Sequence, residues 1–161
     1  MLEKRALDPT LHERQGFACG VPALDEYLHR FAEQHRRRGL TAVYVLVDSA
    51  APAQVLGYYT LSAAEVDVAR LPEAERKRLP RFPVPCFRMG RLACASSQRG
   101  RGLGKLLVGC AVDRCLKARQ QVAAYALIVD AKDDAARNFY LHFGFRSLQD
   151  ARLTLYLPLG R

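Results

Sequence analysis

Three glycines at alternate positions, Gly100, Gly102 and Gly104, constrain this chain most, because they separate two segments of different periodicity. Residues 87–93 alternate apolar with polar or small residues, which predicts a strand. In residues 103–115 apolar residues recur at helical spacing, which predicts a helix. Glycines at such a junction let backbone N–H groups converge on an anion at the start of the helix. The loop therefore predicts a site for a negatively charged group.

The spacing within this loop excludes two familiar nucleotide-binding motifs. A Walker A loop requires Ser or Thr after Gly-Lys, but Leu106 follows here, and its first glycine would fall on Arg99. A dinucleotide-binding fingerprint, Gly-x-Gly-x-x-Gly, would need a third glycine where Lys105 or Leu107 stands. The pattern that does fit is Arg-x-x-Gly-x-Gly, which ends at Gly104.

The rest of the chain mixes strands and helices without strict alternation. The predicted strands are residues 41–47, 55–61, 87–93, 123–129 and 153–157, and the predicted helices are residues 21–38, 103–115 and 134–142. The first two strands are expected to pair antiparallel, and the charged segment 71–79 and proline-rich residues 80–85 to form a surface connection. We therefore expect an α+β protein with one central, largely antiparallel sheet flanked by helices, as a single domain over residues 1–161.

Charge and composition narrow the class of protein. The chain has 161 residues, with 25 Lys plus Arg against 16 Asp plus Glu, and this excess of positive charge favours a polyanionic partner. Its five cysteines lack the spacing of a zinc site, so we expect no metal and a reducing compartment. Neither a signal peptide nor an apolar run of about 18 residues is visible, which predicts a cytoplasmic protein with no membrane contact.

The motif from Arg99 to Gly104 resembles the pyrophosphate-binding loop of the Gcn5-related N-acetyltransferase (GNAT) superfamily. The resemblance implies acetyl-CoA as cosubstrate, with its pyrophosphate capped by backbone amides. Leu92 and Cys94 would contact the pantetheine arm through main-chain atoms. The cofactor-binding residues implied in this way are Leu92, Ala93, Cys94, Arg99, Gly100, Arg101, Gly102, Leu103, Gly104 and Lys105.

A second motif, residues 138–145, matches the FYxxFGF ending typical of the same superfamily. The resemblance implies that Tyr140 is catalytic, because a phenol in a thioester site can protonate the departing thiolate. The phenylalanines of this motif, at positions 139, 143 and 145, are expected in the core. Many members carry Asn seven residues before the tyrosine to bind the cofactor, whereas this chain has Asp133. Whether Asp133 or Asn138 makes a cofactor contact stays open.

Further segments resemble the acetyltransferase toxins of bacterial type II toxin–antitoxin systems. They are residues 17–20, 24–28, 57–62, 79–85, 90–93 and 129–132, in that order, and with the other motifs they span roughly residues 16–159. The resemblance implies transfer of acetyl from acetyl-CoA to the α-amino group of aminoacyl-tRNA, which blocks translation. It also implies a homodimer and neutralisation by a ribbon-helix-helix antitoxin.

The chemistry of an α-amino acceptor agrees with the residues. Its pKa is about 7.7 in peptides and lower beside an ester, so a large neutral fraction exists without a strong base. The buried segment 123–129 offers no Glu or His, whereas a lysine acceptor with a pKa of about 10.4 would call for a base. Glu65 and Asp67, after the second strand, could supply one.

Two basic clusters fit the acceptor end of a tRNA. Residues 30–38 hold four arginines against one glutamate, and residues 70–81 hold five basic residues against two glutamates. The candidate RNA-binding residues are Arg36, Arg37, Arg38, Arg76, Lys77, Arg78 and Arg81. A single-stranded RNA end could stack on an exposed aromatic such as Tyr59 or Phe82. The same clusters could instead be solvated surface or seat an acidic antitoxin segment.

Two other functions are compatible with the sequence. The chain could be a GNAT N-acetyltransferase that acts on a protein N-terminus, a polyamine or another small amine. It could also be a binding or regulatory protein that retains the fold and holds nucleic acid or a partner, which the basic surface and Asp133 in place of the usual Asn would favour.

Overall fold

The computed structural model describes residues 1–160, which divide into two compact units. Unit 1 comprises residues 1–62 and 90–111, and unit 2 comprises residues 63–89 and the chain from Val112 onward. The strands are β1 (Leu2–Ala6), β2 (Ala42–Asp48), β3 (Gly57–Val66), β4 (Val84–Cys94), β5 (Ala126–Asp130), β6 (Arg146–Leu148) and β7 (Ala151–Pro158). The helices are α1 (Pro22–Glu26), α2 (Ala32–Arg37), α3 (Glu73–Arg76), α4 (Leu103–Ala118) and α5 (Asp134–His142).

Unit 1 is built on the strand order β1-β2-β3-β4. β1 pairs antiparallel with β2, and β2 pairs antiparallel with β3, with Val43 opposite Thr60. The buried face of β2 presents Val43, Val45 and Val47 to Tyr27 and Leu28 of the first helical segment. Burial of these apolar side chains supplies most of the driving force for this packing.

A π-helical turn, Tyr27–Phe31, joins α1 to α2, so that helical structure is continuous from Pro22 to Arg37. The expected helix over residues 21–38 is therefore confirmed, with a wider central turn that periodicity did not predict. Gly39 ends it with φ +72°, a conformation that favours glycine. Tyr58 fastens this segment to β3 by donating a hydrogen bond to the Leu24 carbonyl at 2.6 Å.

Unit 2 has the strand order β3-β4-β5-β7-β6. β4 and β5 run parallel, whereas the β5–β7 and β6–β7 pairs are antiparallel. Four of the five residues of β5 are buried, as expected for a nearly continuous apolar run. The expected α+β class with a largely antiparallel sheet is confirmed.

The structure adds elements that the sequence patterns did not predict. β1 and β6 were missed, and the segment 71–79, expected as part of a surface connection, contains α3. Cys86, Cys110 and Cys115 are buried, whereas Cys19 and Cys94 are half-buried, and no disulfide bond joins any of them within residues 1–160. Among residues 1–160 no cluster of His, Cys, Asp or Glu is arranged to hold a metal ion. No helix in the described part of the chain is long and apolar enough to cross a membrane.

Candidate active site

The glycine loop of unit 1 leaves backbone donors unused at the start of α4. Gly100 and Gly102 have φ of +83° and +69°, which an L side chain rarely adopts. The Leu106 amide donates to the Gly102 carbonyl at 3.3 Å, so the helical ladder begins there. The amides of residues 103–105 precede this first bond and have no acceptor within the helix. They are therefore available to an anion.

The charges around this loop oppose the dipole of the helix they precede. The first turn of α4 contains no acidic residue but does contain Lys105, which is exposed. Arg99 and Arg101 lie just before the turn and are also exposed, and the Arg101 guanidinium donates to Gln98. Cations at a helix N-terminus are unfavourable unless an anion sits between them and the amides. This donor set fits the pyrophosphate of acetyl-CoA.

Close packing fixes the strand end that leads into the loop. A Cβ added to Gly57 would lie 2.7 Å from Leu107 Cδ1 and 3.0 Å from the Ala93 carbonyl oxygen. Glycine at this position thus allows β3 to approach both α4 and β4. The Ala95 amide donates to the Leu56 carbonyl at 2.8 Å.

The implied pantetheine segment has side chains suited to packing. Ala93 is buried, and Leu92 and Cys94 are half-buried. Burial raises the pKa of the Cys94 thiol, so this side chain is not a thiolate nucleophile. A role for Leu92 and Cys94 through main-chain atoms is compatible with this arrangement. Unit 1 contains all ten residues that the resemblance assigns to the cofactor.

A cleft of about 620 Å³ in unit 1 borders the same region. Its lining includes Phe17 and Ala18, Val55, and residues 95–97, which form the start of the 3₁₀ turn before the loop. The Ser96 amide in this lining donates to the Ala18 carbonyl at 2.8 Å.

Tyr140 lies in α5 of unit 2 and is 93% buried, with 7% of its surface exposed. Phe139 and Phe145 pack on it with ring centroids 5.3 Å away in each case. These rings hold the phenol in one orientation and in largely apolar surroundings. Phe145 is buried as expected, but Phe139 and Phe143 are only half-buried, so placing them in the core was wrong. Phe139 lies in α5 beside Tyr140, Phe143 follows the last residue of α5 and contacts Phe139, and each side chain is only partly covered.

Asp133 serves as the N-cap of α5. Its Oδ1 accepts a hydrogen bond from the Ala136 amide at 2.8 Å. A cap of this kind satisfies one of the free amides of the first turn. Asn138 lies further along the helix and is exposed. The acidic residue at position 133 therefore has a structural reason that is independent of any cofactor.

Of the two other candidate acids, Asp67 and Glu65, the first caps a helical turn and the second is exposed. Asp67 Oδ1 accepts from the Ala69 amide at 2.9 Å and caps a 3₁₀ turn. Glu65 is exposed on β3. The buried residues of β5 contain no carboxylate or imidazole, as noted from the sequence.

The aromatic residues expected to stack on RNA have different environments. Tyr59 is only 1% exposed and stacks on Tyr44 with centroids 5.2 Å apart, so the expectation of an exposed ring was wrong. It is covered because residues 57–61 of β3 are all buried. Phe82 is 63% exposed. Sequence reasoning missed Phe31, whose side chain is 38% exposed beside arginines.

Ion pairs neutralise part of each basic cluster. In unit 1, Arg36 contacts Glu33 at 2.7 Å and Arg37 contacts the same carboxylate at 3.7 Å. In unit 2, Lys77 lies 3.5 Å from Glu73, and Arg76 is half-buried. Of the seven candidate RNA-binding residues, those that are exposed and have no carboxylate of the described residues within ion-pair distance are Arg38, Arg78 and Arg81.

Glu75 was counted among the surface charges, but its side chain is 95% buried. Its carboxylate accepts hydrogen bonds from Tyr125, from Tyr156 at 2.5 Å and from Arg146 at 2.9 Å. These donors lie on β6, on β7 and just before β5. The buried carboxylate therefore joins α3 to the strands of unit 2.

The profile of the Acetyltransferase (GNAT) family matches residues 10–145. Together with the loop at the start of α4 and the sheet described above, this match shows that the chain belongs to the GNAT acetyltransferase family.

Particular relatives narrow the comparison further. The chain is 36% identical over 129 residues to the "tRNA-acetylating toxin" of Mycobacterium tuberculosis, covering 80% of this chain and 75% of that protein. It resembles the structure of AtaT complexed with acetyl-methionyl-tRNAfMet with a TM-score of 0.92 and 30% identity, covering 98% and 95% of the two chains. A tyrosine-to-phenylalanine mutant of AtaT, bound to acetyl-CoA and the C-terminus of the antitoxin AtaR, matches with a TM-score of 0.84 and 28% identity, covering 98% and 93%.

Proposed function

We propose that this protein is an acetyltransferase toxin that transfers acetyl from acetyl-CoA to the α-amino group of aminoacyl-tRNA and thereby blocks translation. The observation that carries the proposal is the similarity over 98% of the chain to AtaT in complex with acetyl-methionyl-tRNAfMet. The 36% identity to a tRNA-acetylating toxin supports the same conclusion. The open, cationic start of α4 agrees with a pyrophosphate-bearing cosubstrate.

The residues of the loop bind and orient the cosubstrate. Acetyl-CoA supplies an acetyl group activated as a thioester. The free amides of residues 103–105, with Arg99 and Lys105, neutralise its two phosphates. Holding the thioester in place removes the entropic cost of bringing it to the acceptor.

Tyr140 acts as the general acid of the proposed reaction. When the acceptor nitrogen bonds to the acetyl carbon and the carbon–sulfur bond breaks, the phenol donates its proton to the departing sulfur. The rings of Phe139 and Phe145 hold that phenol in position. The acceptor needs no strong base, because an α-amino group, whose pKa of about 7.7 is lowered further by the adjacent ester, has a large neutral fraction near pH 7. One of the two protons on the acceptor nitrogen leaves to solvent after the new bond forms, and a proton from solvent restores the Tyr140 phenol.

The proposal includes partners beyond the acceptor. An antitoxin, of the ribbon-helix-helix type, would neutralise the protein, and AtaT bound to part of AtaR supports the existence of such a partner. A homodimer in the cytoplasm completes the proposal. Contacts to tRNA phosphates would come from the exposed arginines at positions 38, 78 and 81, because their charges are not paired with carboxylates among the described residues.

The first test mixes purified protein, acetyl-CoA and total charged tRNA, then digests the RNA and searches for N-acetylaminoacyl-adenosine by mass spectrometry. We expect this product, and we expect Tyr140→Phe to lower its rate of formation by about 10²–10⁴-fold. The dissociation constant for acetyl-CoA should stay within about twofold, since the phenol is not needed for binding the phosphates.

Tyr125→Phe is the matched control, because it removes a phenol from unit 2 that contacts Glu75 instead of Tyr140's neighbours. This variant should keep full activity. Turnover of free amines or peptides at a rate independent of tRNA would contradict the aminoacyl-tRNA acceptor. If acetyl-CoA at about 100 times its expected dissociation constant fails to raise the melting temperature, the protein is not an acetyltransferase in function, since binding should contribute about 2.7 kcal/mol.

A further inference from the structure

Unit 1 carries a row of rings and guanidinium groups in contact along its first helical segment, which we call the ring ladder: Arg91, Tyr27, His35, Phe31 and Arg30. The Arg91 guanidinium carbon lies 3.5 Å from the centre of the Tyr27 ring. The Tyr27 and His35 rings are 5.3 Å apart, and those of His35 and Phe31 are 6.2 Å apart. The Arg30 guanidinium carbon lies 5.5 Å from the Phe31 ring centre. Cations therefore flank a run of three rings.

A hydrogen bond fixes the middle of the ladder. The Tyr27 hydroxyl lies 3.0 Å from His35 Nδ1. Burial raises the pKa of Tyr27, so the phenol stays protonated and the two groups share one hydrogen bond. Both rings are thus held in one orientation relative to each other.

The ladder runs from the interior to the surface of unit 1. Tyr27 is 4% exposed, whereas Phe31 is 38% exposed at the end of the π-helical turn. π-helical turns inside helices are frequently found at functional sites. An ion pair between Arg30 and Glu26 at 3.0 Å holds the guanidinium near the Phe31 ring. An exposed aromatic face beside arginines is the arrangement by which proteins stack single-stranded nucleic acid.

The inner end of the ladder lies next to the implied cofactor segment. Arg91 directly precedes Leu92 in β4, the strand end expected to contact the pantetheine arm. Arg38 follows α2 and is exposed at the end of the same helical segment. The stretch from Phe31 to Arg38 therefore offers an aromatic face and positive charge together, which matches a base and its phosphate.

We propose that the ring ladder is the stacking platform for the single-stranded 3′ end of the acceptor RNA. An unpaired base stacks on Phe31, and the adjoining phosphates contact Arg30 and Arg38. This inference rests on the function proposed above and adds the surface that positions the RNA. Phe31 is a positioning residue and takes no part in the transfer of the acetyl group.

The test uses an RNA hairpin of the acceptor-stem type with 2-aminopurine in its single-stranded 3′ end, whose fluorescence falls when the base stacks. The protein has no tryptophan, so its own emission interferes little. We expect the intact protein to quench the probe. Phe31→Leu keeps apolar area but removes the ring, so it should abolish most of the quenching and weaken RNA binding about tenfold. Phe31→Tyr should restore both.

Phe82→Leu is the matched control, because Phe82 is the other strongly exposed phenylalanine and belongs to unit 2. It should leave the quenching unchanged. With charged tRNA, Phe31→Leu should raise KM about tenfold with kcat and the dissociation constant for acetyl-CoA unchanged, which separates positioning of the RNA from damage to the fold.

Several results would overturn the inference. Normal quenching by Phe31→Leu, or loss of quenching by Phe82→Leu alone, would place the stacked base elsewhere. If Phe31→Leu weakened binding of an acidic antitoxin peptide and left RNA binding intact, the ladder would be a protein-binding surface. If the intact protein acetylates charged tRNA and Phe31→Leu does so with the same KM, the ring ladder does not position the RNA. The proposed function would be unaffected by that result. An intact protein that makes no acetylated product would refute the proposed function itself.

Discussion

The N-termini of α4 and α5 are electrostatic opposites. α5 supplies its own negative charge, because Asp133 caps the Ala136 amide and Asp134 lies in the first turn. α4 begins after Gly102 with Lys105 in its first turn and no acidic residue. A helix dipole favours the first arrangement by about 0.3–1 kcal/mol per charge. The first turn of α4 contains no anion of its own and is therefore open to an external one.

The same contrast holds for the charges of the two units more widely. Unit 2 contains the buried carboxylate of Glu75, which accepts hydrogen bonds from three side chains of its own unit. Unit 1 leaves cationic side chains exposed around the glycine loop. Charge in unit 2 thus stabilises the fold, whereas charge at the loop of unit 1 is available for binding.

The largest expected effect tests the buried carboxylate of unit 2, whose hydrogen bonds come from side chains of that unit. Glu75→Ala leaves the Tyr125 and Tyr156 hydroxyls without their acceptor and opens a cavity. Breaking a buried, hydrogen-bonded charge in this way should lower the free energy of unfolding by about 3 kcal/mol. For a chain of this length that corresponds to a fall of roughly 10 °C in melting temperature, measurable by circular dichroism.

The pH dependence gives an independent check with Glu75→Gln. Burial by itself raises the pKa of Glu75, but hydrogen bonds from Tyr125, Tyr156 and Arg146 outweigh it and hold the pKa below the ordinary 4.5. The stabilisation is therefore fully present above about pH 4.5 and is lost as the pH falls through the folded-state pKa. The gap in melting temperature between the intact protein and Glu75→Gln should shrink in acid. A gap that stays constant from pH 7 to strongly acidic solution would show that Glu75 is not ionised in the fold.

The next prediction adds a negative charge to the first turn of α4, which has none. Lys105→Glu places a carboxylate in the first turn of α4, where it favours the dipole and repels the pyrophosphate. We expect binding of acetyl-CoA to weaken about 100-fold, or about 2.7 kcal/mol, in isothermal titration calorimetry. The melting temperature without ligand should rise slightly. Lys105→Gln, which adds no negative charge, should weaken binding less. Equal affinity in all three proteins would remove Lys105 from the site.

The smallest effect tests the cap of α5. Asp133→Ala removes the acceptor for the Ala136 amide and should lower the free energy of unfolding by about 1 kcal/mol. The melting temperature should fall by roughly 2–4 °C. Asp133→Asn retains a capping oxygen and should cost little. If Asp133→Ala weakened acetyl-CoA binding without lowering stability, the side chain would belong to the cofactor site and not to the helix.

Sequence patterns predicted the parts of the fold whose signals are local. Residues 134–142 form α5 with the expected bounds, and the glycine loop lies between a strand and a helix as its composition requires. Residues within or beside these elements mark where they end, such as Gly144 with φ +105° after α5. The candidate cofactor loop was therefore accessible from the sequence alone.

The features that were missed depend on partners far along the chain. Glu75 is buried because it contacts Tyr125, Arg146 and Tyr156. These partners lie 50, 71 and 81 residues away in sequence, so local patterns do not reveal the contacts. Tyr59 is covered because β3 is an interior strand, which the letters GYYTL do not reveal. β1 is mostly exposed, so it lacks the apolar alternation that would identify it.

Gly57 lies in a tight space between the strand and the helix on either side of the glycine loop. A single methyl group there would overlap Leu107 and press on the Ala93 carbonyl. Leu107 lies in the second turn of α4 and Ala93 in the strand end before the loop, so the strand and the helix on either side of the loop share one contact point. The loop is therefore held at both ends, by β4 and by α4, and the absence of a Cβ at Gly57 sets how closely β3 can approach these two elements. The strand and the helix fix the positions of the two ends of the loop, and Gly100 and Gly102 let the backbone connect them.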